Sequence, residues 1–253
     1  TRDWLTNLKI RASWGKLGNQ NALSDYYPWM NTYSLGASYP IGGSLQSGYY
    51  QSSYKLSTIS WEKARTWGLG VDATINNNIN LTVDYYDRET TGIIMDVPVP
   101  NEFGLGAYKD NVGAMVNRGV EVLLSYNNKW GDWSFGATGN VAYNKNKLLD
   151  LGSEDANANG MTDPNNGNKR RVVGERLNSY YAYRTGGFFE SDEAAQAWMD
   201  KYKGQAGYPF GNRQFKGGDL IYLDTNGDGK LTSADRELIG SSDPSFTFGL
   251  TLN

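Results

Sequence analysis

Twelve residues in the last eighth of the chain hold the only spacing that could do metal chemistry. In Asp224-Thr-Asn-Gly-Asp-Gly-Lys-Leu-Thr-Ser-Ala-Asp235, oxygen-bearing side chains fall at positions 1, 3, 5, 9 and 12 (Asp224, Asn226, Asp228, Thr232 and Asp235). Gly229 supplies the sharp turn at position 6, and Lys230 offers its backbone carbonyl at position 7. Calcium takes six or more oxygens at flexible distances, and this spacing wraps them around one point. Asp replaces the usual bidentate Glu at position 12, and no flanking helices are evident. The spacing predicts a structural calcium site; the competing reading is an acidic, glycine-rich turn without metal. Asp84, Asp87 and Glu89 could suggest a glycosidase carboxylate pair, but acids where a strand leaves a membrane are far more often solvated. No acid/base constellation can be picked out, so the chain is not expected to be an enzyme.

The composition narrows the field. There is no Cys and no His in 253 residues, which removes disulfides, thiolates, His-based triads and the commonest metal ligand. A net charge of −3 leaves no nucleic-acid footprint. Mean hydropathy is −0.60, and no apolar run approaches the ~18 residues of a membrane helix.

The elements that must position everything else are strands. From Trp67 to Ile75 the odd residues are apolar and the even ones small or polar. After Asn76-Asn77-Asn78 the alternation resumes, with Ile79, Leu81, Val83 and Tyr85 opposite Asn80, Thr82, Asp84 and Tyr86. Val120, Val122, Leu124 and Tyr126 repeat it, broken only by Leu123, and Phe135 to Tyr143 continue it. Period-two alternation predicts strands near 5–15, 61–75, 79–91, 114–127, 132–146 and 245–253. Each is long enough to cross a tilted bilayer, and short turns (76–78, 127–132) alternate with long connections (16–60, 92–111, 145–245). Trp14, Trp61, Trp67, Tyr85, Tyr126, Trp130, Trp133 and Tyr143 sit where strands should meet the membrane interfaces. The expected fold class is all-β: a segment of a large antiparallel transmembrane β-barrel with long extracellular loops and one short loop helix. That helix is expected over 190–203, capped by Ser191 or Asp192, within a long loop region at 147–244. The region 20–60 reads as loop. Six strands cannot close a membrane barrel, so the chain is expected to belong to something larger.

Several stretches together resemble the later barrel strands of SusC/RagA-type TonB-dependent transporters, the nutrient importers of Bacteroidetes outer membranes. They are Leu8-Lys-Ile-Arg-Ala-Ser-Trp-Gly15 with Gly18-Asn19, Trp61-Glu62-Lys63 leading to Gly70-Val-Asp72, and Asp84-Tyr-Tyr-Asp-Arg88. Asn111-Val-Gly113, Asn117-Arg-Gly-Val-Glu121 and Asn144-Lys-Asn-Lys147 follow, then Gly218-Asp219, the 224–229 run, Asp235-Arg236, Ile239-Gly240 and Pro244. The resemblance implies a 22-stranded plugged barrel in the outer membrane, energised by TonB. It also implies a SusD-like surface lipoprotein as lid and glycan or peptide cargo. Calcium on Asp224, Asn226, Asp228 and Asp235 would then stiffen the largest loop. A soluble calcium-dependent β-rich binding module is the alternative, and a glycan-acting enzyme ranks last.

Overall fold

A computed structural model of the chain describes residues 4–21, 23, 25–51, 53–97, 102, 104–163 and 166–253. Pro98 and Pro100, which the sequence assigns to a loop, lie outside these residues. The chain divides into two compact units: residues 1–161, 172–177 and 244–253, and residues 162–171 and 178–243.

The first unit is built on six strands: β1 (Leu5–Asn19), β4 (Glu62–Ile75), β5 (Ile79–Val97), β6 (Tyr108–Trp130), β7 (Trp133–Leu151) and β14 (Phe246–Leu252). They form one antiparallel sheet in the order β1-β4-β5-β6-β7-β14. Two tight turns make the meander possible. Asn76 and Asn77 both adopt positive φ, 48° and 60°, and Asn78 N–H returns to Ile75 C=O at 3.1 Å. Left-handed residues at both central positions match the strand twist, and Asn tolerates them better than other side-chain-bearing residues. Between the paired Trp130 and Trp133 only the first central residue, Gly131 (φ 60°), is at positive φ. Both tight turns lie at one end of the sheet, and the long connections lie at the other.

At that second end the strands outrun their alternating stretches: β5 reaches Val97 and β6 starts at Tyr108, shortening the connection to 98–107. The region read as loop between β1 and β4 contains a hairpin, β2 (Tyr33–Ile41) and β3 (Ser44–Gln51), turning at Gly42-Gly43. Its Tyr- and Ser-rich sequence has strand propensity but little apolar alternation, which is why no strand was expected there. A six-residue helix α1 (Glu154–Asn159), capped by Ser153, follows β7. Leu148, Leu151 and Ala156 are buried there against Met95, Met115 and Leu177.

The second unit carries β8 (Met161–Asp163) from its second residue on, and β9 (Asn166–Arg171), β10 (Ser179–Tyr183), β11 (Thr185–Phe188), β12 (Leu220–Tyr222) and β13 (Arg236–Ser241). The helix α2 (Asp192–Tyr202) forms here, inside the expected span, with Ser191 accepting Ala194 N–H as its N-cap. Asp192 and Glu193 fill its first turn, where the helix dipole favours acids. Ala195 and Met199, four apart on one face, bury against Phe189 and Phe215, with Trp198, Phe210 and Tyr222 packed around them. This aromatic cluster is the unit's core. Met199→Ala should cost about 2–4 kcal/mol of the unit's stability by leaving a cavity. Hydrogen exchange of the α2 amides would record the loss, and unchanged protection would place the core elsewhere.

Candidate functional site

The two faces of the six-stranded sheet differ in chemistry, and register aligns them into rows. One row runs Ile10–Val71–Val83–Val122–Val141–Phe248 across all six strands. The next rows are Leu8–Ala73–Leu81–Leu124–Gly139–Leu250 and Ala12–Leu69–Tyr85–Val120–Tyr143–Phe246. These residues have no cover within the unit: Ile10 is 74% exposed and Phe248 85%. With the further row Leu5–Ile75–Ile79–Tyr126–Ala137–Leu252, four rows ~6.6 Å apart on six strands ~4.8 Å apart make an apolar plane of ~750 Å². That is more than a soluble monomer ordinarily leaves open. Where the band ends, the face changes character. Trp14 pairs with Trp67, and Arg118 Nε meets the buried Asp87 carboxylate at 2.6 Å in the continuation of that row. One step further Arg65 pairs with Glu89. At the hairpin end Trp130 and Trp133 stand exposed. Aromatic girdles followed by charge are what a bilayer boundary selects. Asp87 and Glu89, considered above as possible catalytic acids, are therefore ion-pair partners. Leu123, the break in the alternation, stands 43% exposed on the polar face between Thr82 and Asn140.

The opposite face is polar and cross-linked. Arg11 on β1 reaches Asp72 on β4 at 2.8 Å and Asp84 on β5 at 3.0 Å. It can span two strands because Gly70 lies between: a Cβ there would strike Asp84 Oδ1 and sit 2.8 Å from Arg11 Cζ. Tyr86 on β5 likewise lies across β6 over Gly119 to donate to Asn144 Oδ1 on β7 at 3.1 Å. Next to it, Asn146 donates to Asn117 Oδ1 at 2.9 Å and accepts Leu177 N–H at 2.8 Å.

These contacts join the stretches that carry the family likeness. Gly18 packs beneath the Trp61 ring, and Asn19 donates to Glu62 at 3.1 Å. Asn111 holds Ser60 through both its amide oxygen and its amide nitrogen, and also donates to Gly92 C=O. Gly70 and Asp72 meet Arg11; Asp84 and Tyr86 meet Arg11 and Asn144. The sequence shows these stretches only as an ordered set. Their pairing is a property of register.

In the second unit, residues 224–235 fold into a compact loop. Asp224 Oδ1 accepts Gly227 N–H at 2.7 Å and its Oδ2 accepts Gly229 N–H at 2.8 Å. Asn226 Oδ1 accepts Asp228 N–H, and Asp228 Oδ1 accepts Lys230 N–H. Asp235 is fully buried, its Oδ1 taking Thr225 N–H at 3.0 Å and its Oδ2 taking Thr232 N–H at 2.8 Å. Thr232 caps the 3₁₀ turn Ser233–Asp235 by accepting Ala234 N–H. Among the described residues, no three acidic side chains gather around one point. Asp224, Asn226 and Asp228 keep further lone pairs on the exposed side, and the Lys230 carbonyl belongs to the same turn. The donor set is all oxygen, so its chemistry suits calcium, whereas the Asp235 oxygens are engaged with the loop's own backbone. The ammonium of Lys201 is raised above its usual pKa, chiefly by its hydrogen bond to Tyr202 Oη at 2.8 Å, with Asp224 adding to it.

An antiparallel meander with an uncovered apolar belt on one face and a hydrogen-bonded polar surface on the other defines a segment of transmembrane β-barrel wall. No described helix is long and apolar enough to cross a membrane, which says nothing about crossing by strands. A family model described as TonB dependent receptor-like, beta-barrel matches residues 2–253, and the chain belongs to that family. It is 29% identical over 246 residues to TonB-dependent receptor P26 of Formosa agariphila, covering 96% of this chain and 23% of that protein. It is 26% identical over 262 residues to TonB-dependent receptor SusC of Bacteroides thetaiotaomicron, covering 98% and 23%. The RagAB peptide importer in its open-open state superposes with a TM-score of 0.72 at 24% identity, over all of this chain and 25% of that one. The chain thus spans about a quarter of the length of the relatives it matches.

Proposed function

We propose that this chain forms part of the wall and outer loops of a SusC-like TonB-dependent importer of oligomeric nutrients, glycans or peptides, in a bacterial outer membrane. The exposed apolar rows of the six-stranded sheet carry this reading, because they need lipid as their partner. The polar face would line the plugged lumen, and the turns at Asn76–Asn78 and Gly131–Asp132 would face the periplasm. The second unit would then stand on the extracellular side, where a SusD-like lipoprotein captures cargo; TonB would supply energy through other parts of the barrel protein. Calcium at Asp224, Asn226 and Asp228, with the Lys230 carbonyl, would stiffen the loop that Asp235 and Thr232 close. A soluble calcium-dependent module remains the second reading, because the 224–235 loop could serve either.

The absence of Cys from the sequence gives a clean labelling background. In native outer membranes, a bimane label on Phe248→Cys should be quenched by brominated lipid. Thr247→Cys, its neighbour on the other face, should be insensitive. Equal behaviour of the two positions, or quenching of neither, defeats the barrel-wall reading and favours the soluble module.

A further inference from the structure

The arginines of the sheet are paired with carboxylates, with one exception among the described residues. Arg11 holds Asp72 and Asp84, Arg65 holds Glu89, and Arg118 holds Asp87. Arg88 is exposed on the polar face and has no hydrogen-bond or ion-pair partner among the described residues. It lies in a concavity of about 570 Å³ whose other lining residues include Thr66, Tyr86, Asn117 and Asn144, and no acid. Register puts Thr66 and Asn117 directly beside it on the neighbouring strands. The surroundings are already oriented. Asn117 Oδ1 is occupied by Asn146, which leaves the Asn117 amide N–H₂ as a donor towards the cavity; Tyr86 Oη is committed to Asn144. The nearest acids of this face lie two rows away: Asp84 and Glu121 beyond the Tyr86–Gly119 row, and Glu62 beyond the Ala64–Thr90 row; Asp84 is held by Arg11, and Glu62 accepts Asn19 and the Ile94 N–H.

We propose that Arg88, with Asn117 and Thr66, is a seat for a carboxylate carried by the imported oligomer. This rests on the importer reading above, in which the polar face meets cargo. A guanidinium offers a planar fork of N–H donors that fits both oxygens of a carboxylate, and neutral amide and hydroxyl donors beside it complete an anion's coordination without competing charge. A neutral oligomer leaves the fork unused. The seat therefore selects acidic over neutral cargo, and a carboxylate on another part of the same barrel protein is the rival occupant.

The test uses the native protein that carries this chain, extracted from outer membranes in detergent. Its recovery there is read first, so failure of the importer reading appears before any titration. The probes are N-acetylated, C-amidated tetraglutamate and tetraglutamine, titrated calorimetrically at pH 7. Tetraglutamate should bind at least tenfold more tightly than tetraglutamine. Arg88→Gln should abolish that preference, and Arg88→Lys should retain only part of it. Arg65→Gln, which removes an equal charge from the other face, should leave it unchanged. Equal binding of the two probes, or a preference that survives Arg88→Gln, overturns the proposal. So does a wild-type protein that ignores tetraglutamate while Arg88→Gln lowers its melting temperature, because the carboxylate is then the protein's own.

Discussion

Gly119→Val should prevent the sheet from assembling. A Cβ at this position would fall against Tyr86 Oη and 2.6 Å from the backbone carbonyl oxygen of Tyr143, so relief requires moving a paired strand and not merely a side chain. Gly119 is not in a left-handed conformation, so its requirement is space and not backbone freedom. Swinging Tyr86 away would forfeit its bond to Asn144, and the remaining overlap would force β6 and β7 apart. A loss of about 3 kcal/mol or more is expected from overpacking combined with broken pairing. Heat-resistant migration in detergent electrophoresis should disappear. Gly139→Val is the control: its Cβ would meet nothing nearer than 3.9 Å, beside Leu250 on the apolar face. Normal assembly of Gly119→Val would show that Tyr86 does not lie across β6. Gly119→Ala with Tyr86→Ala should recover part of the loss, because only the carbonyl contact then remains.

Asp235→Ala should open the 224–235 loop whether or not metal binds. The carboxylate is fully buried and takes N–H groups from Thr225, Asn226 and Thr232, so its removal strands several donors and leaves a void. Each stranded donor costs about 1–3 kcal/mol, giving an expected loss of roughly 3–5 kcal/mol in the second unit. Exchange protection in β13 and around Thr225 would report it. Calcium separates from this effect through Asp228, which is exposed and accepts a single backbone N–H. Calcium at a hundred times its Kd should add about 2.7 kcal/mol to the native protein. Asp228→Ala should erase that increment while costing less than about 1 kcal/mol without metal. If calcium adds nothing to the native protein, the metal proposal fails and Asp235 is purely a structural clasp.

The two cases show what could be read in advance. Strand faces were legible because each of the stretches 67–75, 79–86, 120–126 and 133–143 alternates almost without a break, and lipid contact demands apolar residues on one side only. The α2 helix was legible from its capping residues, Ser191 or Asp192, from the acids of its first turn and from Gly204 after its basic end. The hairpin β2–β3 was not, because Tyr, Ser and Gly without alternation look like loop. Gly70 and Gly119 stood out only as recurring letters. Their reason, a long polar side chain from the preceding strand lying across each, exists only once register has put three strands side by side. Arg88 was missed for the same cause: in sequence it is one arginine of several, and only the pairing of the others leaves it without a carboxylate.

Asn178 donates to both oxygens of Asp243 at 3.1 Å, and Ser242 N–H returns to Asn178 C=O. The segment 178–243, the larger part of the second unit, thus ends where it begins, and this bears on the order of assembly. β14 can pair with β7 only after residues 152–245 between them have been gathered in, and an open loop of that length resists this entropically. Once the clasp has formed, the residues between 178 and 243 no longer lengthen the connection, which then behaves as one of about thirty residues, and the closure cost falls by about 1 kcal/mol. The insertion should therefore fold before the last strand docks. A chain held at this stage would carry a folded 178–243 segment while the edge of β7 is still unpaired.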